Sequence, residues 1–196
     1  MKILIIGASG FTGSYLFKSF SKYKPIGTSR NNNSFLKLDI SDKKQIKIIE
    51  KIEPDVICIP AYITNLDYCE KNPEECKKTN VCGIKNIVDA SKEKTKIVFF
   101  STDAIFKGDN GPYSEEDPVC PINEYAKQKL EAENIIKTHK NHLIIRTCSI
   151  YGWDPRNMNF VARLIETIKK GEEFKAPIDQ FYTPTYVKDL AEATKR

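Results

Sequence analysis

Short apolar runs alternate with longer amphipathic stretches along the chain. The runs KILIIG (2–7), PIGTS (25–29), FLKLDI (35–40), DVICI (55–59), KIVFFS (96–101) and HLIIRT (142–147) have strand length. Several are apolar at consecutive positions, as parallel strands covered on both faces must be. Between them, stretches near 12–22, 42–53, 74–92, 123–138 and 157–170 carry helical spacing, for example at Val81, Ile84, Ile87 and Val88. The alternation predicts a doubly wound α/β fold, a parallel sheet with right-handed crossovers and helices in a three-layer arrangement. A final helix is expected from Val187, with Thr185 as its cap.

One amphipathic stretch has an unusual inward face. In INEYAKQKLEAENIIK (122–137), Tyr125, Lys129, Ala132 and Ile136 share one stripe at helical spacing, while Lys127, Glu131 and Asn134 take the opposite side. A tyrosine and a lysine one turn apart on the core-facing stripe call for a chemical reason.

Composition narrows the classes. With 196 residues and 40% hydrophobic content the chain can bury one sizeable core. The net charge of +5 comes from scattered lysines, which suits anionic small molecules and offers no basic, aromatic-interleaved module for nucleic acid. No apolar run has the length of a membrane span and no signal peptide is visible. Six cysteines without CxxC pairing read as buried, reduced thiols of a cytoplasmic protein rather than a metal site.

GASGFTG follows the first strand directly and opens a helix, with Gly7, Gly10 and Gly13 at i, i+3 and i+6. That pattern supplies a tight turn, close approach of backbone to a pyrophosphate, and close helix-on-strand packing, with the phosphates at a helix N-terminus. The second strand ends in GTSR, so Arg30, with Thr28 and Ser29 as further donors, favours the 2′-phosphate of NADP(H) over NAD(H), which stays possible. Asp39 and Ile40 close the third strand and are placed to meet adenine, although Asp39 could instead cap the helix that follows.

STD (101–103) ends the fifth strand, where an open α/β sheet places its ligand crevice. If the crossover returns the next helix along that crevice, Thr102, Tyr125 and Lys129 converge. Tyr125 would then deliver a proton to a substrate carbonyl, Lys129 would stabilise its phenolate, and Thr102 would hold the oxygen.

GASGFTG, STDAIFKGDNGPYSEEDPVCPINEYAKQK, RTCSIYG and DQFYTPTYVKDLA together resemble the extended short-chain dehydrogenase/reductases, most nearly the dTDP-4-dehydrorhamnose reductase (RmlD-type) family. The resemblance implies an NAD(P)-binding Rossmann fold and NADPH-dependent reduction of the 4-keto group of a nucleotide-linked 6-deoxysugar. It implies Thr102, Tyr125 and Lys129 as catalytic, and Gly7, Gly10, Phe11, Thr12 and Gly13 as the phosphate turn. Asp39 and Ile40 would lie at adenine, Ala61, Tyr62 and Thr64 along the cofactor, and Asp103 beside the sugar or capping its own loop. IPAYIT stands where the family usually has an Asn-Ala-Ala run, and Ala126 where it usually has glycine.

Residues 1–150 are expected to form the dinucleotide domain with the catalytic groups, and 151–196 an interleaved, incomplete start of the substrate region. A nucleotide sugar is the expected partner, with a homodimer possible. The chain ends at Arg196, ahead of a further strand and much of the sugar-nucleotide pocket that family members carry. Two other readings therefore stand beside the reductase: a non-catalytic NADP-binding regulatory subunit of a partner enzyme, and an inactive truncated fragment. His139 and His142 are read as a helix-end charge and a strand-start residue, Glu115 to Asp117 as a solvated acidic loop, and Trp153 as lining the cleft opening or packing as an ordinary aromatic.

Overall fold

The computed structural model describes residues 1–156 and 159–196. Six strands, β1 (Ile3–Ile6), β2 (Ile26–Ser29), β3 (Leu36–Lys37), β4 (Val56–Ile59), β5 (Lys96–Thr102) and β6 (His142–Thr147), form one parallel sheet in the order β3-β2-β1-β4-β5-β6. The fold is the doubly wound Rossmann type. The chain winds outward from β1 to β3, then crosses back to β4, so the direction reverses between β1 and β4. That reversal opens a crevice at the carboxyl ends of these strands.

Alternate residues of the strands feed two cores. On one face Leu4, Ile6, Ile57, Ile59, Ile97 and Phe99 pack with Ile46 and Ile49 of helix α2 (Lys43–Ile52), Ile84 and Ile87 of α5 (Ile84–Ala90), and Ala132 and Ile136 of α6 (Glu124–Lys137). On the other, Ile3, Ile5, Cys58, Val98 and Phe100 meet Leu16 of α1 (Phe11–Ser19) and Leu190 and Ala191 of α8 (Val187–Lys195). The consecutive apolar runs therefore reflect burial on both sides.

Side-chain caps set the starts of several helices. Asp42 accepts from the Lys44 amide at 2.8 Å, Asn123 from Ala126 at 2.8 Å, and Asn159 from Ala162 at 3.0 Å, the last opening α7 (Phe160–Lys169). Asp42, not Asp39, thus caps α2. The capping residue of α8 is Tyr186, one position beyond the expected Thr185, and it supplies no side-chain bond. The expected start near 157 lies outside the described residues.

The long helix expected over 74–92 is broken into three. A short helix α3 (Leu66–Lys71), not anticipated, ends at Asn72, and Pro73 then opens α4 (Pro73–Lys77). A π-helical stretch over Lys78–Gly83 follows before α5. His139 is buried, and its Nε2 lies 2.8 Å from the Thr95 carbonyl, so it ties the end of α6 to the start of β5. Of the six thiols, Cys82 in the π-helical stretch and Cys120 in the loop before α6 are exposed; the other four are buried. No helix among the described residues is long and apolar enough to cross a membrane.

Candidate active site

The glycine turn sits at the reversal point. Gly7 has φ +89°, and a Cβ there would lie 2.9 Å from the Ala61 Cβ. A Cβ on Gly13 would come 2.1 Å from the Gly7 carbonyl oxygen. Both positions are therefore closed to any other residue. Gly10 begins α1 in an extended conformation with no side-chain cap, so the first-turn amides of Phe11, Thr12 and Gly13 are left for an anionic ligand. This cradle fits a dinucleotide pyrophosphate.

Around it the expected contacts divide. Arg30 follows β2 and is exposed, its charge close enough to act on the Tyr68 hydroxyl. Thr28 and Ser29 do not join it as donors. Thr28 is fully buried, and the Ser29 hydroxyl is engaged with Ser9 Oγ at 2.7 Å and accepts from the Asn32 amide at 3.1 Å. Asp39 Oδ1 accepts from the amide and hydroxyl of Ser41 at 2.9 and 2.7 Å, and Ile40 is buried. Ala61 lies against Gly7, whereas Thr64 is exposed in the loop after β4.

The catalytic candidates meet at the end of β5. The Thr102 hydroxyl accepts from the Ala104 amide at 3.2 Å and donates to Asp103 Oδ1 at 3.3 Å, so Thr102, not Asp103, caps the turn that follows. Burial pushes the Tyr125 phenol up to about 12, opposed by the nearby Thr102 hydroxyl and reinforced by Asp103. The sequence led to the opposite expectation, a phenol held down by Lys129. The reason is where the ammonium goes. Lys129 Nζ donates to the Phe100 carbonyl at 2.6 Å and lies over the Tyr62 ring, 3.7 Å from its centroid. Burial brings Lys129 down to about 7, with Glu133 pulling the other way. The Tyr62 ring in turn meets Tyr125 edge to face at 5.8 Å. The three catalytic candidates thus share one site, with Tyr62 set between the lysine and the tyrosine.

Two supports lie outside the motifs. Buried Asn80, in the π-helical stretch, accepts from the Ile63 amide at 2.9 Å and donates to the Ile63 carbonyl and to Gln128 Oε1. Gln128 also donates to the Pro73 carbonyl at 3.0 Å, which binds the loop after β4 to α6. Fully buried Glu133 takes a forked pair of bonds from Arg146, at 3.1 and 2.9 Å, holding α6 on β6. A polar side chain on the inward stripe of a helix, as at Gln128 and Glu133, was the available signal for both.

Beyond β6 the chain makes an excursion that closes on itself. Thr185 donates its amide to the Cys148 carbonyl, the Tyr151 amide donates to the Thr185 carbonyl, and the Val187 amide donates to the Tyr151 carbonyl, the last two at 2.9 Å. Ser149 there has φ +37° and lines a cavity of about 640 Å³ with Phe160, Arg163, Thr167, Lys175 and Gln180 among its walls. The neighbouring Cys148 thiol is raised by burial and by a hydrogen bond with Asp103, which connects this cavity to the end of β5. Trp153 does not line the cavity; it is 75% exposed and its carbonyl accepts from the Tyr15 hydroxyl. Among the described residues no cluster of three or more His, Cys, Asp or Glu side chains could hold a metal.

The sequence profile of the RmlD substrate binding domain family matches residues 1–196. The chain belongs to this RmlD family. Among similar RmlD-type chains, the spore coat polysaccharide biosynthesis protein SpsK of Bacillus subtilis is 31% identical over 98% of this chain and 68% of its own length. A dTDP-4-dehydrorhamnose reductase of Burkholderia thailandensis is 30% identical over 99% of this chain and 64% of its own. The methionine adenosyltransferase 2 subunit beta of Danio rerio is 29% identical over 97% and 61%. Two solved structures superpose closely on this RmlD-family chain. One is a dTDP-4-dehydrorhamnose reductase from Clostridium acetobutylicum, with a TM-score of 0.89 and 34% identity, covering 100% of this chain and 69% of the other. The second is the Bacillus anthracis dTDP-4-dehydrorhamnose reductase in complex with NADP, with a TM-score of 0.89 and 31% identity, covering 99% and 69%. The chain spans about two thirds of the length of the relatives it matches.

Proposed function

We propose that this RmlD-family chain is an NADPH-dependent oxidoreductase that reduces the 4-keto group of a nucleotide-linked 6-deoxysugar. The observation that carries the reading is the Tyr125 phenol brought close enough to Thr102 to act on it, at the end of the sheet where the glycine turn also lies. The Bacillus anthracis neighbour bound to NADP supports the cofactor, and the reductases among the relatives support the substrate class.

When bound, NADPH supplies the hydride. The amides of Phe11, Thr12 and Gly13 would hold its pyrophosphate, and Arg30 its 2′-phosphate. Thr102 orients the substrate carbonyl oxygen, and Tyr125, fully protonated near neutral pH, gives that oxygen its proton. The resulting phenolate would draw on the positive charge of Lys129, one turn along α6 and across the Tyr62 ring. Arg163 and Lys175 place positive charge at the wall of the adjoining cavity, where the nucleotide diphosphate of the sugar would lie.

The test is consumption of NADPH on addition of dTDP-4-dehydrorhamnose, followed by absorbance and by the reduced sugar nucleotide. Turnover with one sugar reduced per NADPH is expected. Tight NADPH binding without any reduction would favour the second reading, a regulatory subunit, to which the methionine adenosyltransferase subunit beta relatives point.

A further inference from the structure

The Tyr62 side chain has no role in a scheme built on Thr102, Tyr125 and Lys129, yet it touches two of the three. Its ring lies 3.7 Å from Lys129 Nζ and edge to face with Tyr125 at 5.8 Å, and it packs on Phe99 at 6.3 Å. Below the ammonium is the Phe100 carbonyl at 2.6 Å, and the Phe99 ring lies 4.6 Å away. The ammonium is thus clamped between a carbonyl and aromatic faces. A cation over the face of an aromatic ring, shielded from water, is held by the ring quadrupole. Among the described residues the Tyr62 hydroxyl is buried without a hydrogen-bond partner, so the contacts Tyr62 makes with Lys129, Tyr125 and Phe99 are those of its ring. Asn80 fixes the loop that carries it, through both backbone groups of Ile63.

We infer that Tyr62 is a positioning residue for the acid–base pair: its ring holds the Lys129 ammonium against the Phe100 carbonyl and braces the edge of Tyr125. Both side chains are then set before substrate arrives. This rests on the reductase reading of the same site.

The groups facing Lys129 and Tyr125 are few. Glu133 lies on α6 itself, Asp103 at the end of β5 and Cys69 on α3, while Phe99 and Phe100 of β5 bring no titratable side chain. Turnover requires the protonated lysine, so kcat/KM falls as pH rises through the lysine's value in the free protein, about 7. Replacing the ring by an aliphatic chain admits water, raises that value toward an ordinary lysine's, and moves the falling limb to higher pH. A fluorinated ring keeps the shape but reverses the charge of its face, so the limb moves to lower pH.

The experiment measures kcat, KM for NADPH and the pH profile with dTDP-4-dehydrorhamnose for the parent, Tyr125→Phe, Tyr62→Leu, Tyr62→Phe, and the chain carrying pentafluorophenylalanine at position 62. Tyr62→Leu is expected to lower kcat by about tenfold or more, with a smaller change in KM, and to shift the limb upward. Tyr62→Phe should restore most of kcat and the parent profile. The fluorinated chain, which preserves packing if Tyr62→Leu does not fold, should lose about threefold or more in kcat with the limb shifted downward. If Tyr125→Phe abolishes turnover while the fluorinated chain and Tyr62→Leu keep the parent kcat and pH profile, the role given to Tyr62 is wrong. If Tyr125→Phe itself retains turnover, the reductase reading of the site fails instead.

Discussion

Lys129 is held at a cost to the fold. Its value near 7 in the folded chain lies below the 10.5 of a free lysine, so between these pH values the unfolded chain binds more protons than the folded one. Stability must therefore rise with pH through that window. Lys129→Met removes the buried ammonium, and denaturant unfolding of this variant should show a flatter pH dependence than the parent over the same range. A parent whose stability does not rise there would contradict the desolvated lysine. Tyr62 offers a complementary case, since among the described residues its buried hydroxyl has no partner, and burial, the main cause, pushes the phenol far up. Tyr62→Phe should leave stability unchanged or raise it by about 1 kcal/mol, as read from urea midpoints. Which residues were legible at this scale follows from range. Gly7, Gly13, Thr102, Tyr125 and Lys129 declare themselves through local spacing. The ring of Tyr62 over Lys129 joins positions 67 residues apart, and the direction taken by the ammonium depends on a strand carbonyl that no motif encodes.

At the scale of elements, β1, β4 and β5 were readable from their apolar runs, because burial on both faces leaves no alternation to misread, whereas the run over 35–40 yields only the two exposed residues of β3. The helical layer was less so. Residues 74–92 have helical periodicity in sequence, yet the chain there passes through a π-helical stretch that turns Asn80 inward to grip Ile63. Periodicity cannot report a one-residue widening whose cause is a long-range hydrogen bond. α3 escaped notice for the same reason: its six residues have one buried side chain, Cys69, and rest on the Asn65 cap. Asn80→Ala would leave the Ile63 backbone groups and Gln128 Oε1 without their partner. It is expected to destabilise the chain by about 1–3 kcal/mol in urea unfolding and to raise KM for NADPH through the loosened Ala61 to Thr64 loop. Unchanged stability would mean that this network does not hold the loop.

Over the whole molecule, two cores on opposite faces of the sheet fix where chemistry can occur. α8 packs beside α1 through Leu190 and Ala191, while α6 and its reacting stripe lie on the other face. The sheet end is left as the place where both layers can reach one ligand, with the glycine turn on one side and Thr102 and Tyr125 on the other. The excursion between Cys148 and Val187 adds a cavity with Arg163 and Lys175 in its walls, which amphipathic spacing alone did not reveal because α7 supplies one wall and irregular chain, including Lys175 and Gln180, supplies another. The central claim is that this arrangement moves a proton from Tyr125 as hydride arrives. The most direct measurement compares single-turnover reduction of dTDP-4-dehydrorhamnose by NADPH in the parent and in Tyr125→Phe, with NADPH affinity determined in parallel. The account predicts a rate lower by about 10²-fold or more in the variant at unchanged NADPH affinity, whereas equal rates would contradict it.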